Sequence, residues 1–361
     1  IIAGHQPAIF HPGVWFKNFA LSHLARETNS VAVNLVIDND VASGSSIRVP
    51  TIDPTSGEAA SEVVAYDHAG GGVPYEQTTV SDRELFASFD QRVKAAVAPL
   101  VSDPCVTALW NHARQAIERC GVAGCALAQA RHGLEGQLGL QTLELPIGVV
   151  CRNTAFAEFV LSLLTELPRF HRCYNDAADH YRAVHGIRST AHPVPNLTSE
   201  ADWFEAPLWV YGDDSPQRRP VWARWLDDDL VISDRAGREL RIDLRYPKLA
   251  AAKLANHASP NFNLRPRALL TTMYARMILG DLFLHGIGGG KYDQLGDSIM
   301  RSFFMVDPPK FMVISATIQL PGIDNVDHGA SIRQLKRKLR DTVYQPEQFV
   351  EQAELDPQLL D

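Results

Sequence analysis

The order of predicted elements in the first 37 residues constrains the fold more than any other feature. An apolar strand runs over residues 1–3, and Pro and Gly make a turn of residues 4–13. Apolar residues then follow at helical spacing, namely Trp15, Phe19, Leu21 and Leu24. Residues 31–37 are the short, mostly apolar and β-branched run that is typical of a buried parallel strand. The pattern predicts a βαβ unit and therefore an α/β protein with a Rossmann-like parallel sheet.

The composition allows a large packed interior and shows no surface for nucleic acid. The chain has 361 residues, of which 45% are hydrophobic, so two lobes or one core with an insertion fits this length. The formal net charge is −8, and no face rich in Lys and Arg indicates contact with a phosphate backbone. We expect no nucleic-acid partner, although an acidic protein can still hold a local cationic pocket for a small anion.

Cysteine usage and hydropathy indicate a cytoplasmic protein. Five cysteines occur, and no two of them form a C-x-x-C motif, so a disulfide scaffold or a zinc ribbon is a poor interpretation. No apolar run is long enough to span a bilayer. The opening Ile1-Ile2-Ala3 is too short and too uncharged for a signal peptide. The sequence predicts reduced thiols, a cytoplasmic location and no membrane partner.

Changes in composition divide the chain into four segments. Residues 1–202 are predicted to form the first part of the Rossmann-like core, with helical segments. Residues 203–245 place Trp, Tyr, Val and Ile among Asp, Gly and Pro, which indicates a small antiparallel β-rich insert. Residues 246–322 are predicted to complete the core and to contain a pocket segment rich in Arg and Gly. Residues 323–361 are predicted to form a charged C-terminal helical arm.

Further segments carry expectations for local structure. Residues 51–80 are rich in Gly, Ser, Thr and Pro and are predicted to form a long surface excursion. Residues 264–280 have a helical pattern that is predicted to begin just before Pro266. A short strand at 282–284 is predicted to run into a glycine-rich stretch, and residues 311–320 are predicted to form another strand.

Two histidines lie in the turn after the first strand. The N–H groups at the start of the following helix point towards this turn and favour an anion. His5 and His11 can stabilise charge there, so we predict them as catalytic residues. Four neighbours are predicted to bind substrate or nucleotide: Gln6, Gly13, Lys17 and Asn18. The alternative is that both imidazoles cap the turn and bind its backbone.

Two carboxylates follow the second predicted strand. Asp38 and Asp40 lie at the carboxyl end of this strand, which is where α/β sheets place ligands. They can orient an amine or hold a divalent cation, and we predict them as catalytic residues. The alternative is ordinary loop acidity with Asn39 in an Asx-turn. No third acidic ligand is close in sequence, so we predict no metal site.

Polar and cationic residues precede the helical pattern near residue 268. Arg265 and Arg267 can each hold a carboxylate or phosphate through two hydrogen bonds, and Arg265 is the stronger candidate. Asn261 and Asn263 are predicted to bind substrate beside them. The alternative is that an arginine pairs with an acidic surface of the protein itself.

A glycine-rich stretch follows the short strand at 282–284. It matches neither the Walker A motif nor G-x-G-x-x-G, but its glycines allow a ligand to approach the backbone N–H groups. The predicted binding residues are His285, Gly286, Gly288, Gly289, Gly290, Lys291 and Asp293. The alternative is a flexible loop with a surface lysine.

Ser259-Pro260-Asn261 and Leu264-Arg265-Pro266, followed by a helix, a short strand and the glycine cluster, resemble the bacillithiol biosynthesis cysteine-adding enzymes. The opening turn through Pro12-Gly13, the strand from Val33 to Asp40 and the insert at 207–232 are also similar to that family. The resemblance covers most of the chain, and the segment 259–293 carries it most specifically.

The resemblance implies a Rossmann-like core related to nucleotidylyltransferases, with a C-terminal helical arm used for homodimerisation. It also implies a reaction that joins the carboxyl group of cysteine to the amine of a glucosaminyl malate, with ATP and magnesium as plausible activators. The chain departs from the family at Asp38-Asn39-Asp40, which replaces a fuller acidic and histidine cluster, and at Lys291, which replaces an acidic residue. Reversed charge in a pocket predicts a different substrate.

Three functions are compatible with these residues. The first is a ligase-like or group-transfer enzyme that acts on a small anionic, nucleotide-activated substrate. The second is a non-catalytic protein that binds a small molecule on the same fold. The third is a metal-dependent hydrolase that uses His5, His11, Asp38 and Asp40. The catalytic hypotheses require the turn at 4–13 and the segment 259–293 to meet at one pocket.

Overall fold

The computed structural model describes residues 1–8, 12–53, 55–68, 71–257, 259–318 and 328–344. Its strands are β1 (Ile2–His5), β2 (Val33–Val36), β3 (Ser46–Ile52), β4 (Ala59–Ala65), β5 (Leu143–Pro146), β6 (Ser199–Glu200), β7 (Trp203–Gly212), β8 (Ser215–Leu226), β9 (Asp229–Ser233), β10 (Glu239–Asp243), β11 (Asn263–Pro266), β12 (Phe283–His285) and β13 (Phe311–Val313). Its helices are α1 (Pro12–Glu27), α2 (Arg83–Ala87), α3 (Phe89–Val97), α4 (Val106–Cys120), α5 (Ala123–Gln137), α6 (Ile147–Val150), α7 (Thr154–Leu164), α8 (Leu167–Val184), α9 (Pro247–Ala255), α10 (Ala268–Tyr274), α11 (Ile287–Ile299) and α12 (His328–Tyr344). A 3₁₀ turn covers Tyr75–Gln77, and π-helical turns at Ala275–Leu279 and Met300–Phe304 continue α10 and α11.

A parallel sheet forms the centre of the fold. Its strand order is β13-β12-β1-β2-β5, and each neighbouring pair is parallel. The chain moves outward from β1 to β2 and β5 and then returns to the other side of β1, which is the strand order of a Rossmann-like sheet. The predicted α/β class with a Rossmann-like core is therefore confirmed. The order reverses between β1 and β12, the kind of place where such sheets bind ligands.

Helices cover both faces of this sheet. Along β1, Ile2 packs into the large core that includes α7 and α8, whereas Ala3 packs beneath α1 with Leu21. On β12, Phe283 and Leu284 divide in the same way. Successive side chains of a strand point to opposite faces, so both faces are buried. This explains why the parallel strands are mostly apolar runs without alternation.

An antiparallel sheet packs against the same core. Its order is β10-β9-β8-β7-β11, with β6 paired to β7. The predicted helix at 264–280 is wrong at its start, because residues 263–266 form β11, in which Arg265 lies opposite Trp209 of β7. The helix begins at Ala268. Pairing with a distant strand decided this boundary, and local helical periodicity did not.

The predicted surface excursion at 51–80 is partly a β-hairpin. Strands β3 and β4 pair antiparallel and pack with helices α2 to α5 on a second core. Phe86, Phe89 and Trp110 are fully buried in it, and the ring centroids of Phe89 and Trp110 are 4.3 Å apart. The many turn-forming residues of this segment do not predict the pairing of β3 with β4, which the aromatic core stabilises.

The glycine-rich stretch is the start of a helix, and not the flexible loop of the alternative interpretation. Gly286 precedes the first turn of α11, and Gly288 to Gly290 lie inside it. A Cβ at Gly289 would lie 2.6 Å from the ring Nδ1 of His285, and a Cβ at Gly290 would lie 2.5 Å from a methyl of Val313. These glycines let α11 approach β12 and β13 closely. Of the strand predicted at 311–320, β13 forms only residues 311–313, and 319–320 lie outside the described residues.

Residues Ile1–Ile318 form one compact unit and Gln319–Asp361 a second one. Helix α12 belongs to the second unit, and Ile332, Leu335 and Leu339 are exposed along it. None of the helices in the described residues is both long enough and apolar enough to cross a membrane.

Candidate functional site

The loop after β2 joins the carboxyl edge of the parallel sheet to the antiparallel sheet. The Asn39 side chain donates a hydrogen bond of 2.8 Å to the carbonyl oxygen of Pro266 at the end of β11. Arg218 of β8 donates to the Oδ1 of Asp40 at 3.1 Å. The two sheets therefore enclose the residues that follow β2.

Asp40 uses both of its carboxylate oxygens within the protein. Its Oδ2 accepts a hydrogen bond of 2.8 Å from Gln6, in the turn after β1. Its Oδ1 accepts from Arg218 and from the Val41 N–H. Asp40 thus connects the amino-terminal turn to the loop after β2, which makes it better suited to positioning than to proton transfer.

Asp38 has a carboxyl group suited to proton transfer near neutral pH. It accepts a hydrogen bond from the Gly148 N–H, but its buried Oδ1 has no hydrogen-bond partner among the described residues. Burial and, to a lesser extent, the negative charge of Glu76 raise the pKa of Asp38 to about 7, against the opposing effect of Arg265. A group with such a pKa can both take and give a proton at pH 7.

Arg265 and Glu76 form a buried ion pair beside Asp38. The Nε of Arg265 donates to Oε1 of Glu76 at 2.8 Å, and Nη2 donates to Oε2 at 3.0 Å. The Tyr211 hydroxyl also donates to Oε1. Burial would lower the pKa of Arg265, but Glu76 raises it above its ordinary value. The predicted ligand-binding cation is therefore already neutralised by the protein.

A cavity of about 340 Å³ opens at the ends of β2 and β5. Asp38, Glu76 and Glu144 line it, and we call it the acidic cavity. His132, Cys120 and Cys125 also line it. Burial, with Cys120 close by, raises the pKa of the Cys125 thiol to about 11, so this sulfur is protonated at neutral pH and is a poor nucleophile.

A buried polar network lies behind the acidic cavity. Arg131 forms ion pairs with Glu135, at 3.4 Å, and with Glu144. Trp15 and Asn18 of α1 also donate to Glu135, at 2.8 and 2.7 Å. Arg131 therefore pairs with both carboxylates, and its single positive charge offsets one of their two negative charges.

Three members of this region have the spacing of a metal site. Donor atoms of His132, Glu135 and Glu144 lie within 4.8 Å of one another, and Oε2 of Glu135 has no hydrogen-bond partner among the described residues. A cation placed there would compete with Arg131 for both carboxylates. The residues proposed for a metal from the sequence, His5, Asp38 and Asp40, do not form such a group within the described part of the chain. His11 lies outside the described residues.

The polar groups in and beside the turn after β1 mainly contact nearby backbone atoms of the protein. The ring Nδ1 of His5 lies 3.2 Å from the carbonyl oxygen of Gln6. Lys17 donates to the carbonyl oxygen of Gly4 at 2.7 Å, and burial together with the charge of Arg131 lowers its pKa to about 8. Gly13 is buried in the first turn of α1. Lys17 and Asn18 therefore belong to the polar network behind the cavity.

The two arginines predicted as ligand-binding groups hold different carboxylates. Arg267 donates to Glu205 at 2.6 Å and lies 4.0 Å from the centre of the Trp209 ring. The amide of Asn261 accepts from the backbone of Asp214, and Asn263 donates to the carbonyl oxygen of Pro260 at 3.3 Å. In this part of the predicted site, most polar groups bind the protein.

His285 and Asp293 form a buried network under α11. The His285 Nε2 lies 2.9 Å from Oδ2 of Asp293, which also accepts from Arg276 at 2.6 Å, while Thr272 donates to Oδ1. Burial would raise the pKa of Asp293, but His285 and Arg276 hold it below its ordinary value. Lys291 and Gly288, in contrast, are exposed.

The structure brings several predicted segments to one edge. The pairing of Ala3 with Leu284 places Gly4 and His5 beside His285, and the Gln6–Asp40 hydrogen bond adds the loop after β2. Arg265 reaches this loop only through Glu76. Sequence reasoning missed Glu76, Tyr211, Gly148, His132 and Glu144. No motif marks them, because their partners are distant in sequence.

Comparison with known proteins leaves this geometry to be interpreted on its own. The sequence matches no model of a protein family, and a search of curated proteins returns no match either.

Proposed function

We propose that the protein is a ligase-like or group-transfer enzyme that transfers an activated group of a small anionic substrate to an amine. One observation carries this proposal: Asp38 lines the acidic cavity with a pKa of about 7 and a carboxyl oxygen that no described residue binds. Glu76 and Glu144 line the same cavity, but each is held in an ion pair, Glu76 with Arg265 and Glu144 with Arg131. Asp38 is therefore the carboxyl group with capacity for a substrate.

The acidic cavity suits an amine that must lose a proton before it reacts. A substrate ammonium group bound beside Asp38 gives a proton to the carboxylate, and the neutral amine then attacks the activated carbonyl carbon. A new C–N bond forms and the bond from that carbon to its leaving group breaks. The attacking nitrogen gives its second proton to the leaving group or to solvent, and Asp38 releases the first proton to solvent. General base catalysis is most effective when the pKa of the base lies near the working pH.

The resemblance to bacillithiol biosynthesis enzymes implies ATP with magnesium. The start of α11, beside the place where the strand order reverses between β1 and β12, is suited to bind the phosphates. Gly288, in the first turn of α11, is exposed and has no atom within 4 Å of a built Cβ, so a ligand can approach its backbone. Lys291 is exposed in the same helix. The nucleotide would supply the leaving group. The backbone N–H groups in the first turn of α11, together with Lys291, would hold its phosphates. Magnesium would take its ligands mainly from the phosphates, because both carboxylate oxygens of Asp40 accept hydrogen bonds from the protein.

Two broader parts of the proposal have separate support. The strand order of the parallel sheet supports a relationship to the nucleotidylyltransferase-like group of Rossmann folds. The odd number of cysteines, without a C-x-x-C motif, supports a cytoplasmic location.

The helical arm is proposed to make a homodimer. Ile332, Leu335 and Leu339 of α12 are exposed and recur at intervals of three and four residues, which is the spacing of a coiled-coil seam. Light scattering should show a dimer for the full chain and a monomer for the double variant Leu335→Lys, Leu339→Lys. A monomer for the unchanged protein would contradict this part of the proposal.

Mass spectrometry of small molecules that co-purify with the protein provides substrates, and calorimetry with ATP, with and without magnesium, tests nucleotide binding. Turnover is then followed by ³¹P NMR for the unchanged protein, for Asp38→Asn and for the exposed control Asp103→Asn. We expect Asp38→Asn to lower the rate by about 10²- to 10⁴-fold and Asp103→Asn to leave it unchanged. No nucleotide binding and no turnover would contradict the proposal. A tightly bound molecule without turnover would favour the non-catalytic binding protein.

A metal-dependent hydrolase is the second candidate, because of the spacing of His132, Glu135 and Glu144. It predicts stoichiometric zinc or manganese by elemental analysis of the purified protein, and loss of the metal in Glu135→Gln. A fully active protein without metal would exclude it.

A further inference from the structure

A second cavity is lined by the arginine of the Arg265–Glu76 ion pair. Its volume is about 410 Å³, and Arg265 and Cys151 line one wall of it. Glu76 lines the acidic cavity, whereas its partner Arg265 lines this one. A volume of this size fits a small organic ligand. Each of the two cavities is therefore lined by one residue of the ion pair.

The second cavity is cationic, in contrast to the first. Arg152 and Arg265 line it, and none of its described lining residues has a carboxyl group; we call it the cationic cavity. His257 also lines it, but burial and the charge of Lys253 lower its pKa, which favours the neutral imidazole. Arg265 is neutralised by Glu76, so Arg152 supplies the available positive charge. The side chain of Arg152 is exposed and has no ion-pair partner among the described residues.

The remaining lining residues indicate the body of the ligand. Leu240, Leu254 and Phe262 give the cavity an apolar wall, and Asn256 places an amide among them. An apolar wall with one cation and a few polar groups is suited to an anion carried on a hydrocarbon or aromatic body. A fully hydrated inorganic ion would leave that wall without a partner.

We propose that the cationic cavity binds a carboxylate or phosphate group on an apolar body, with Arg152 as its counter-ion. Its role as the site of the anionic substrate rests on the function proposed above, in which the acidic cavity takes the amine. The two cavities would then bind substrate groups of opposite charge, one lined by Glu76 and the other by its partner Arg265.

Calorimetry with benzoate and phenyl phosphate tests the proposal, with neutral benzamide as the matched control for charge. We expect either or both anions to bind, and benzamide to bind at least about tenfold more weakly, because a hydrogen bond to a charged group carries the difference. The two anions distinguish a carboxylate site from a phosphate site. The absence of binding by both anions at millimolar concentration would overturn the proposal, as would equal binding of benzamide.

Variants locate the binding site. Arg152→Gln should weaken binding of the anion by about tenfold or more, whereas Arg172→Gln, an exposed arginine outside both cavities, should not change it. Asn256→Trp should block the cavity, and Asn256→Ala should not. Unchanged affinity in both Arg152→Gln and Asn256→Trp would overturn the assignment.

The binding test is independent of turnover. Asp38→Asn should leave the affinity for the anion within about twofold, because Asp38 lines the other cavity. Anion binding without any reaction would contradict the proposed function and leave this site standing. Turnover without anion binding at Arg152 would contradict this site and leave the proposed function standing.

Discussion

Arg265 binds Glu76 through two parallel hydrogen bonds, of 2.8 and 3.0 Å, although the residues are 189 positions apart in sequence. The guanidinium side chain is 5% exposed and the carboxylate 17%. This planar, two-pronged geometry is the strongest form of an arginine–carboxylate contact. The arginine that the sequence offered as a ligand-binding group is thus a structural partner of Glu76, and the two residues line different cavities.

Replacing Glu76 should destabilise the protein strongly. Glu76→Gln leaves the buried guanidinium of Arg265 without a carboxylate, and breaking a buried ion pair in this way costs roughly 3–5 kcal/mol. Urea unfolding measures the loss, with the exposed Glu62→Gln as a control that should change the free energy of unfolding by less than about 0.5 kcal/mol. Equal stability of both variants would show that the pair is not a structural anchor.

A methyl group at Gly148 should disturb the ion pair. The added Cβ of Gly148→Ala would lie 2.9 Å from Oε2 of Glu76, which Arg265 and Tyr211 hold in place. We expect a loss of about 1–3 kcal/mol. Gly136→Ala is the matched helical control, because nothing lies within 4 Å of its Cβ, and it should be neutral or stabilising by up to about 1 kcal/mol. Thermal unfolding that ranks the two variants in the opposite order would refute the steric argument.

Asp38 should make stability depend on pH. Burial raises its pKa from 3.8 to about 7, so the folded protein binds this proton more tightly than the unfolded chain. Its contribution is fully present below about pH 4 and is lost as the pH rises towards 7, with a slope of at most about 1.4 kcal/mol per pH unit.

Asp38→Asn replaces the titrating carboxyl group with an amide that does not titrate. The variant should therefore gain stability relative to the unchanged protein as the pH rises from about 5 to about 7. The difference should level off above about pH 7. Urea unfolding of both proteins at several pH values measures it. A difference that does not vary with pH would mean that the carboxyl group titrates near its ordinary value.

Two neighbouring glycines of α11 should respond differently to alanine. Gly290→Ala places its Cβ 2.5 Å from a methyl of Val313 in β13 and should cost about 1–3 kcal/mol. Gly288→Ala meets no atom within 4 Å and should be neutral or stabilising. If a nucleotide approaches Gly288, that variant should nevertheless weaken ATP binding. Calorimetry and thermal unfolding separate the two effects, and equal stability of both variants would contradict the close packing of α11 on β13.

The parallel core could be predicted because its signals are local. The β-branched run at 31–37 becomes β2, because its apolar residues are buried in the sheet. The helical spacing after residue 14 becomes part of α1, although this helix also buries the polar Lys17 and Asn18. The carboxyl end of β2 was also predictable as a site for polar residues, because α/β sheets place ligands there. The sequence therefore predicts both Asp38 and Asp40 as site residues, but it does not distinguish their roles.

The roles of these two carboxylates depend on neighbours from other segments. Gln6 and Arg218 bind both oxygens of Asp40, whereas Asp38 has one unbound oxygen beside Glu76. The sequence contains no spacing that connects Glu76, in a segment rich in Pro and Gly, to β11. The same holds for the start of α10, where pairing of Arg265 with β7 replaced the first turn of the predicted helix.

By itself, the sequence determined that this chain makes a parallel sheet covered by helices, because hydrophobic periodicity acts between near neighbours. It also determined which charged residues follow the strands. Only the tertiary structure decided which of those charges are neutralised and which remain available, because an ion pair between Arg265 and Glu76 depends on how two sheets pack. Charge available to a ligand is what remains after the fold has satisfied its own buried groups.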